Sequence, residues 1–372
     1  MDERNTEFQP DYALRPGVFL EEILVERGIK KVDFARRCGR PNKTISEIIS
    51  GKTSITPETA LQFERVLGPS ADTWLNLESK HQLHEARAKE EDVFTAAGEW
   101  AKQFPIREMV AKGFLETRPL KNELGARLLE FFGVSSVDAW KAYWPERIGT
   151  TNFKLQKNSD VHEEAVLVWI RRSEIIAEEI SCQPYNEAGF RDALREIRKL
   201  TTLSWEDAEP LLAEACRNIG VALVCLPFLP KTLRGVAYWA TKDKAVIALS
   251  DRGKDAALIW FAFFHEAAHI LLHSKKAVFM DYAGDKSGSA SMDIEDEADA
   301  FAAEALIPSQ HISSFKRDYG HKRQNISKAV LIAAAEEAEI ASDLFLRRLQ
   351  FEDIVPNQIP LNKQVRRKVE FK

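Results

Sequence analysis

The sequence has few cysteines and little excess charge of either sign. Its four cysteines are dispersed over 372 residues without a CxxC pair, which excludes a dense disulfide framework and favours reduced thiols in the cytoplasm. Seventeen glycines and fifteen prolines are too few for a collagen-like or low-complexity chain. Because the net charge is only −5, attraction to nucleic acid would have to come from a local basic patch.

Apolar runs long enough to cross a membrane are also lacking. The segment Ala256–Leu272 resembles a span, but it has 17 residues and contains His265, Glu266 and His269. A lipid-facing helix needs ~20 residues and rarely tolerates three such groups. We therefore predict a buried helix of a soluble domain and no membrane partner. The acidic segment 1–14 lacks the apolar core of a signal peptide and is predicted to be an N-terminal tail.

The order of helix signals, breakers and β-rich runs predicts a multidomain, mainly α-helical protein. An all-α domain is expected at 15–88, and a helical connector with aromatic core residues at 89–215. The runs VALVCL at 221–226 and AVIAL at 245–249 predict a small sheet within an α+β domain at 216–350. Residues 351–372 are predicted to be a solvated, basic C-terminal tail.

The strongest chemical signal is an HExxH motif, His265-Glu266-Ala267-Ala268-His269, on the predicted buried helix. Residues four apart lie on one face of an α-helix, so both imidazoles can bind one ion. Two imidazoles suit Zn²⁺, and Glu266 is placed to act as general base on a water in the open position. Without a metal ion, burying these polar groups in an apolar helix would be costly.

A catalytic zinc site needs a third protein ligand, which we expect in the acidic run 295–299. Glu295 and Asp299 are four apart, so one could bind the metal while the other orients a ligating imidazole. Glu297 is a rival ligand, and spacing alone does not choose between them. Four further polar residues could stabilise an oxyanion, although we interpret each as structural: Arg234, Tyr238, His273 and Tyr282.

These segments resemble the ImmA/IrrE family of zinc metallopeptidases. That family carries HExxH followed by an E-x-x-A-N/D-x-F-A helix that ends near a proline, as at 295–302 and Pro308 here. The resemblance implies a zincin-like domain in which Glu295 is the third ligand and Asp299 supports a histidine. It also implies cleavage of a specific protein, such as a repressor or an antitoxin. Ala268 departs from the pattern, since relatives often have Gly there.

Residues 28–52 predict two helices joined by a tight turn, with apolar residues on one face of each. This arrangement is typical of a helix-turn-helix, whose second helix enters the major groove of DNA. Between Arg27 and Lys52, eight basic and two acidic residues give a net charge of +6, which supports a DNA-facing surface. The candidate DNA contacts are Lys31, Arg40, Asn42, Lys43, Thr44, Ser46 and Lys52.

The segment from Arg15-Pro16-Gly17 to Trp74-Leu75-Asn76-Leu77 resembles the HigA-like branch of the lambda-repressor-type (XRE) helix-turn-helix family, with a matching SEIISGK run at 46–52. The resemblance implies binding to operator DNA as a homodimer, and a cognate toxin as a further partner. Lys30 departs from the family, because relatives usually place a capping Ser or Thr at the start of that helix.

Three functions follow from these motifs. We favour a DNA-binding transcriptional regulator whose zinc metallopeptidase domain cleaves a specific protein partner. The alternative is a HigA-like antidote repressor whose zinc domain senses a signal or binds a toxin without proteolysis. In the third, the C-terminal region is an interaction module that binds no metal.

Overall fold

A computed structural model describes residues 14–117, 119–120, 122–149, 161–273, 279–281, 289–320, 326–357 and 359–371. The chain divides into two compact units, the first ending at Ala97 and the second beginning at Gly98. The predicted multidomain, mainly helical fold with a small C-terminal sheet is confirmed. Of the predicted N-terminal tail, all but Leu14 lies outside the described residues.

The N-terminal unit is helical, as the helix signals and the breakers between them predict. Its fully buried side chains include Leu20, Phe34, Ile45, Phe63 and Trp74, which form one hydrophobic core. Its helices are α1 (Pro16–Glu26), α2 (Lys31–Arg37), α3 (Asn42–Ile49), α4 (Pro57–Leu67) and α5 (Ala71–Ala101), the last of which continues past the boundary between the units.

Local sequence explains how these helices begin and meet. The Thr56 hydroxyl accepts the Thr59 N–H at 3.3 Å and Pro57 follows as the first residue of α4, a favourable helix start. At Lys30 the start of α2 has no side-chain cap, as its sequence suggests. Gly17 allows α1 to approach α3 closely, because a Cβ at this position would lie 2.3 Å from the Ile48 carbonyl oxygen.

The C-terminal unit combines a sheet with helices on both of its faces. Before the sheet come α6 (Ile106–Ala111), α7 (Leu124–Phe132), α8 (Val137–Gly149), α9 (Glu163–Glu179), α10 (Glu187–Ile197), a 3-10 helix (Arg198–Thr202) and α11 (Trp205–Arg217). The strands are β1 (Val221–Leu226), β2 (Gly235–Thr241), β3 (Lys244–Ser250) and β4 (Phe279–Asp281). The remaining helices are α12 (Ala256–Leu272), α13 (Ser289–Leu306), α14 (Ser309–Tyr319), α15 (Lys328–Glu337), α16 (Ser342–Phe351) and α17 (Leu361–Val365).

The described strands form one sheet in the order β1-β3-β2-β4. β1 and β3 are parallel, with Val221 opposite Ala245, whereas β2 pairs antiparallel with β3 and with β4. Successive residues of β1 and β3 are buried on opposite faces, which explains why both strands are apolar without alternation.

Each face of the sheet supports its own core. On one face, Leu223, Ala237 and Ile247 pack in the core that contains α12 and most later helices. On the other face, Val224, Tyr238 and Val246 pack with the aromatic side chains of α7, α8 and α9. Most of the expected connector therefore belongs to the same compact unit as the sheet.

The C-terminal segment is not a solvated tail. Leu361, Val365, Val369 and Phe371 are buried in the core that contains α12. The Arg367 guanidinium donates to both carboxylate oxygens of the buried Asp343, at 2.8 and 2.9 Å. The prediction was wrong because apolar residues are interspersed among the basic ones, and because Arg366 and Arg367 find buried or backbone acceptors.

Among the helices that the structure describes, none combines the length and the hydropathy that a membrane crossing requires.

Candidate metal centre and nucleic-acid interface

The HExxH motif lies near the C-terminal end of α12. Asp255 begins this helix by accepting the Ala257 N–H at 3.1 Å, and the helix is apolar on all sides, as befits a helix buried in a core. His265 is 3% exposed, and Glu266 and His269 are fully buried. Three titratable groups are thus withdrawn from water, a costly arrangement unless they share a ligand or a network.

Atoms of two histidines and one carboxylate converge beside α12. The Nε2 atoms of His265 and His269 are 3.0 Å apart, and the Glu295 carboxylate oxygens lie 3.2 Å from the first and 3.6 Å from the second. Ligands about 2.0 Å from a tetrahedral zinc ion lie roughly 3.3 Å from one another. The spacing of these three acceptors therefore fits a Zn²⁺ ion, and the same trio is the metal-capable cluster found among the described residues.

The surroundings keep these groups in the forms that a metal requires. His265 Nδ1 lies 2.9 Å from Asp299 Oδ1, so this nitrogen donates and Nε2 carries the lone pair. Burial lowers the pKa of the His269 ring and favours its neutral form. Burial alone would raise the pKa of the Glu295 carboxyl, but its contacts with the two imidazoles outweigh burial and lower that pKa to about 2, which favours the carboxylate.

The structure separates the two candidate acids that spacing left open. Glu295 faces the two Nε2 atoms, whereas the Glu297 carboxylate lies 3.3 Å from Nε2 of His273. His273 Nδ1 in turn lies 3.0 Å from Nδ1 of His269, on the ring edge opposite the converging atoms. Sequence reasoning assigned no role to this contact, although the sequence shows that His269 and His273 are four residues apart.

Gly235 explains how the Glu266 side chain fits beside the sheet. A Cβ at Gly235 would lie 2.5 Å from Glu266 Oε1 and 3.0 Å from its Cγ. The first residue of β2 therefore has to lack a side chain for the carboxylate to occupy its position. Sequence reasoning missed this glycine, because nothing in the spacing of 235 and 266 predicts that the two residues meet.

The other candidate polar residues lie in different settings. The buried Tyr238 hydroxyl is 3.1 Å from the Ser173 hydroxyl, in the core on the opposite face of the sheet from α12. The Arg234 carbonyl accepts the Ser250 N–H at 2.8 Å. Tyr282 lies outside the described residues.

In the N-terminal unit, α3 exposes the face predicted to contact DNA. Asn42, Lys43 and Ser46 are exposed and Thr44 is partly exposed, whereas Ile45 and Ile48 are buried. The Lys43 side chain is 85% exposed, and its Nζ lies 3.8 Å from Glu47. Lys52 is also exposed, just beyond the C-terminal end of α3.

Two predicted DNA contacts have partners within the N-terminal unit. Lys31 forms an ion pair with Glu21 at 2.6 Å, and both side chains are about half exposed. Arg40 Nε donates to Gln62 Oε1 at 2.8 Å, and its Nη2 lies 3.6 Å from Glu58. These contacts give both side chains a structural role that their sequence position did not reveal.

Comparison with known proteins finds a family match within each unit. Residues 20–74 match the family model described as Helix-turn-helix, and residues 216–349 match the IrrE N-terminal-like domain. The HTH-type transcriptional regulator YddM of Escherichia coli is 38% identical over 72 residues, which cover 19% of this chain and 77% of that protein. Virulence-associated protein I of Dichelobacter nodosus is 30% identical over 82 residues, covering 22% of this chain and 76% of the relative.

Among solved structures, the Pseudomonas aeruginosa antitoxin HigA with the higBA promoter is 29% identical in sequence to this chain. The match covers 21% of this chain and 87% of the HigA chain, with a TM-score of 0.21. The chain belongs to the XRE-type helix-turn-helix family and carries a C-terminal IrrE N-terminal-like domain. The resemblances to an XRE-type helix-turn-helix and to an IrrE domain, drawn from the sequence motifs, are thereby confirmed.

Proposed function

We propose that this protein is a DNA-binding transcriptional regulator whose C-terminal domain is a zinc metallopeptidase that cleaves a specific protein partner. The observation that carries the proposal is the convergence of three acceptor atoms, from His265, His269 and Glu295, with the buried Glu266 next to His265 in the chain. We propose 15–88 as the limits of the first functional domain and residue 216 as the start of the second.

In this proposal His265, His269 and Glu295 hold the ion, and Asp299 orients His265 through its Nδ1. When bound, zinc would supply Lewis acidity to a water molecule and to a peptide carbonyl. Glu266 accepts the proton of the attacking water and later delivers it to the leaving amine. Gly235 leaves room for that carboxylate, because a side chain at residue 235 would occupy the position of the Glu266 carboxylate.

We propose that the exposed face of α3 contacts operator DNA in the major groove, with Asn42, Lys43, Thr44 and Ser46 as the central contacts. Lys31, Arg40 and Lys52 are assigned to the phosphate backbone around it. The similarity to an HTH-type transcriptional regulator supports this role. A homodimer in the cytoplasm, reading two half-sites, completes the proposal.

The test is incubation of the purified, zinc-loaded full chain with the protein products of neighbouring genes, followed by mass analysis of fragments. The wild type is expected to cleave one partner, and a chelator is expected to abolish cleavage. Glu266→Gln removes the proton acceptor but none of the three ligands. We therefore expect cleavage to fall by about 10²–10⁴-fold while zinc and DNA binding persist.

The other outcomes distinguish the alternatives. Regulation that survives Glu266→Gln but fails when His265 and His269 are both replaced by Ala would favour an antidote repressor that senses a signal or binds a toxin. Purified protein that takes up no zinc, even after reconstitution, would favour an interaction module.

A further inference from the structure

The C-terminal end of α12 places a third imidazole against the metal centre. His273 is the residue that caps α12, and its N–H donates to the His269 carbonyl at 3.2 Å. Its ring reaches back along the helix, so that His273 Nδ1 lies 3.0 Å from His269 Nδ1. The side chain is 8% exposed, and its other nitrogen lies 3.3 Å from Glu297 Oε2. Glu297, His273 and His269 thus form a continuous chain of polar contacts.

The protons along this chain can be assigned without conflict. A neutral imidazole has one N–H donor and one lone pair. If His269 presents its Nε2 lone pair to a metal ion, Nδ1 carries the proton and donates to Nδ1 of His273. His273 then carries its own proton on Nε2, where the Glu297 carboxylate is positioned to accept it.

We propose that His273 and Glu297 are positioning residues that fix the tautomer and the orientation of His269 for zinc binding. This inference rests on the zinc site of the proposed function. The two ligating histidines are then supported in different ways. The Asp299 carboxylate contacts His265 directly, whereas Glu297 acts on His269 through the imidazole of His273. Outer partners of this kind raise the basicity of a ligating ring and hold its plane.

The geometry excludes Glu297 as a direct ligand in this arrangement. The two nitrogens of an imidazole lie on opposite edges of the ring, and Glu297 is connected to the Nδ1 edge of His269. Glu295 occupies the Nε2 edge, 3.6 Å from that nitrogen. The alternative role of His273 is purely structural, as a cap at the end of α12, and that role predicts no effect on metal affinity.

The experiment measures zinc affinity by chelator competition in the purified full chain. His273→Phe keeps a ring but removes the acceptor, and we expect affinity to fall by about 10- to 100-fold. His273→Asn places an oxygen near the position of Nδ1, and we expect it to recover most of the loss. Glu297→Gln keeps a neutral acceptor for His273, so we expect a loss of only a few-fold. His311→Phe, on α14 and outside the site, serves as the matched control and should bind like the wild type.

A second readout separates positioning from folding. The visible absorption of the Co²⁺-loaded protein reports ligand geometry, and we expect it to shift in His273→Phe and to return toward wild type in His273→Asn. The melting temperature of the zinc-free variants should stay close to that of the wild type. If His273→Phe lowers that temperature sharply, the zinc affinity of Glu297→Gln replaces it as the test. The expected few-fold loss supports the inference, and wild-type affinity contradicts it.

Wild-type affinity in His273→Phe, or no difference between the Phe and Asn variants, would overturn the inference while leaving the zinc site intact. Failure of the wild type to bind zinc would instead overturn the proposed function, and the inference with it. The two failures are therefore distinguished by the wild-type measurement alone.

Discussion

The metal centre and the exposed face of α3 hold their polar side chains in opposite environments. His265, Glu266 and His269 are buried, and the two histidines contact each other and Glu295, whereas Asn42 and Lys43 on α3 are exposed to solvent. Burial makes the first arrangement informative, because polar groups without a shared ligand or network would destabilise the core. Solvent satisfies the second arrangement equally well with or without DNA, so there the net charge and the family membership carry the inference.

The comparison predicts that removing a single buried ligand has the largest effect on binding. His269→Ala deletes one of three protein ligands, and structural zinc sites are worth about 10–16 kcal/mol over four ligands. We therefore expect zinc affinity to fall by about 100- to 1,000-fold, measured by chelator competition. Lys43→Ala, on the exposed surface, should leave zinc affinity unchanged. Zinc binding by His269→Ala at the wild-type level would remove this histidine from the site.

A smaller buried change tests how tightly the site is packed. Gly235→Ala would place a Cβ 2.5 Å from Glu266 Oε1 and force the carboxylate to move. A displacement of about 1 Å can cost 10²-fold in rate, so we expect about 100-fold slower cleavage with zinc affinity retained.

Gly320→Ala is the matched control for this change, because its Cβ would make only an ordinary contact, 3.5 Å from Lys316 Cγ. Cleavage by Gly235→Ala at the wild-type rate would show that Glu266 works from another position.

Sequence periodicity predicted the parts of the metal centre that lie on one helix. The spacing of His265 and His269 determines that both rings share a face of α12, and this follows from helix geometry alone. The choice between Glu295 and Glu297 depends on how α13 packs against α12, so spacing left it open and the family resemblance decided it. The contact of Gly235 with Glu266 depends on the approach of β2 to α12, which has no local signal. The contact of His273 with His269 has one, the four-residue spacing, but its onward contact with Glu297 depends on the packing of α13.

The errors outside the site have the same origin. The segment after residue 350 looked like a solvated basic tail because five of its last ten residues are lysine or arginine. Its apolar residues are spaced to reach a core, and the partner of Arg367 is Asp343, 24 residues earlier in the chain. Long-range pairing of this kind has no periodicity that a single sequence reveals.

The exposed side of the comparison is tested by salt dependence. Lys43→Ala removes one cation from α3, and each phosphate contact contributes about 0.9 to the slope of log affinity against log salt concentration. We expect weaker binding to operator and unrelated DNA alike, with the slope reduced by about 1. Binding titrations over a range of salt concentrations measure both quantities. An unchanged slope would mean that this surface faces something other than the phosphate backbone.

The smallest effect on DNA binding is expected from replacing Arg40, which is partly buried and hydrogen-bonded like the metal centre but belongs to the predicted DNA-binding surface. Its side chain is 25% exposed and already bonds Gln62, so it is less available to a phosphate than Lys43 is. We expect Arg40→Ala to reduce the salt slope by less than Lys43→Ala does, but to lower the free energy of unfolding by about 1 kcal/mol through the lost hydrogen bond. Urea denaturation measures the second effect, and Lys43→Ala should show none. Equal slopes for the two variants would mean that Arg40 leaves Gln62 and turns to the phosphate when DNA binds, and that the contact within the N-terminal unit is a resting position for a DNA-binding side chain.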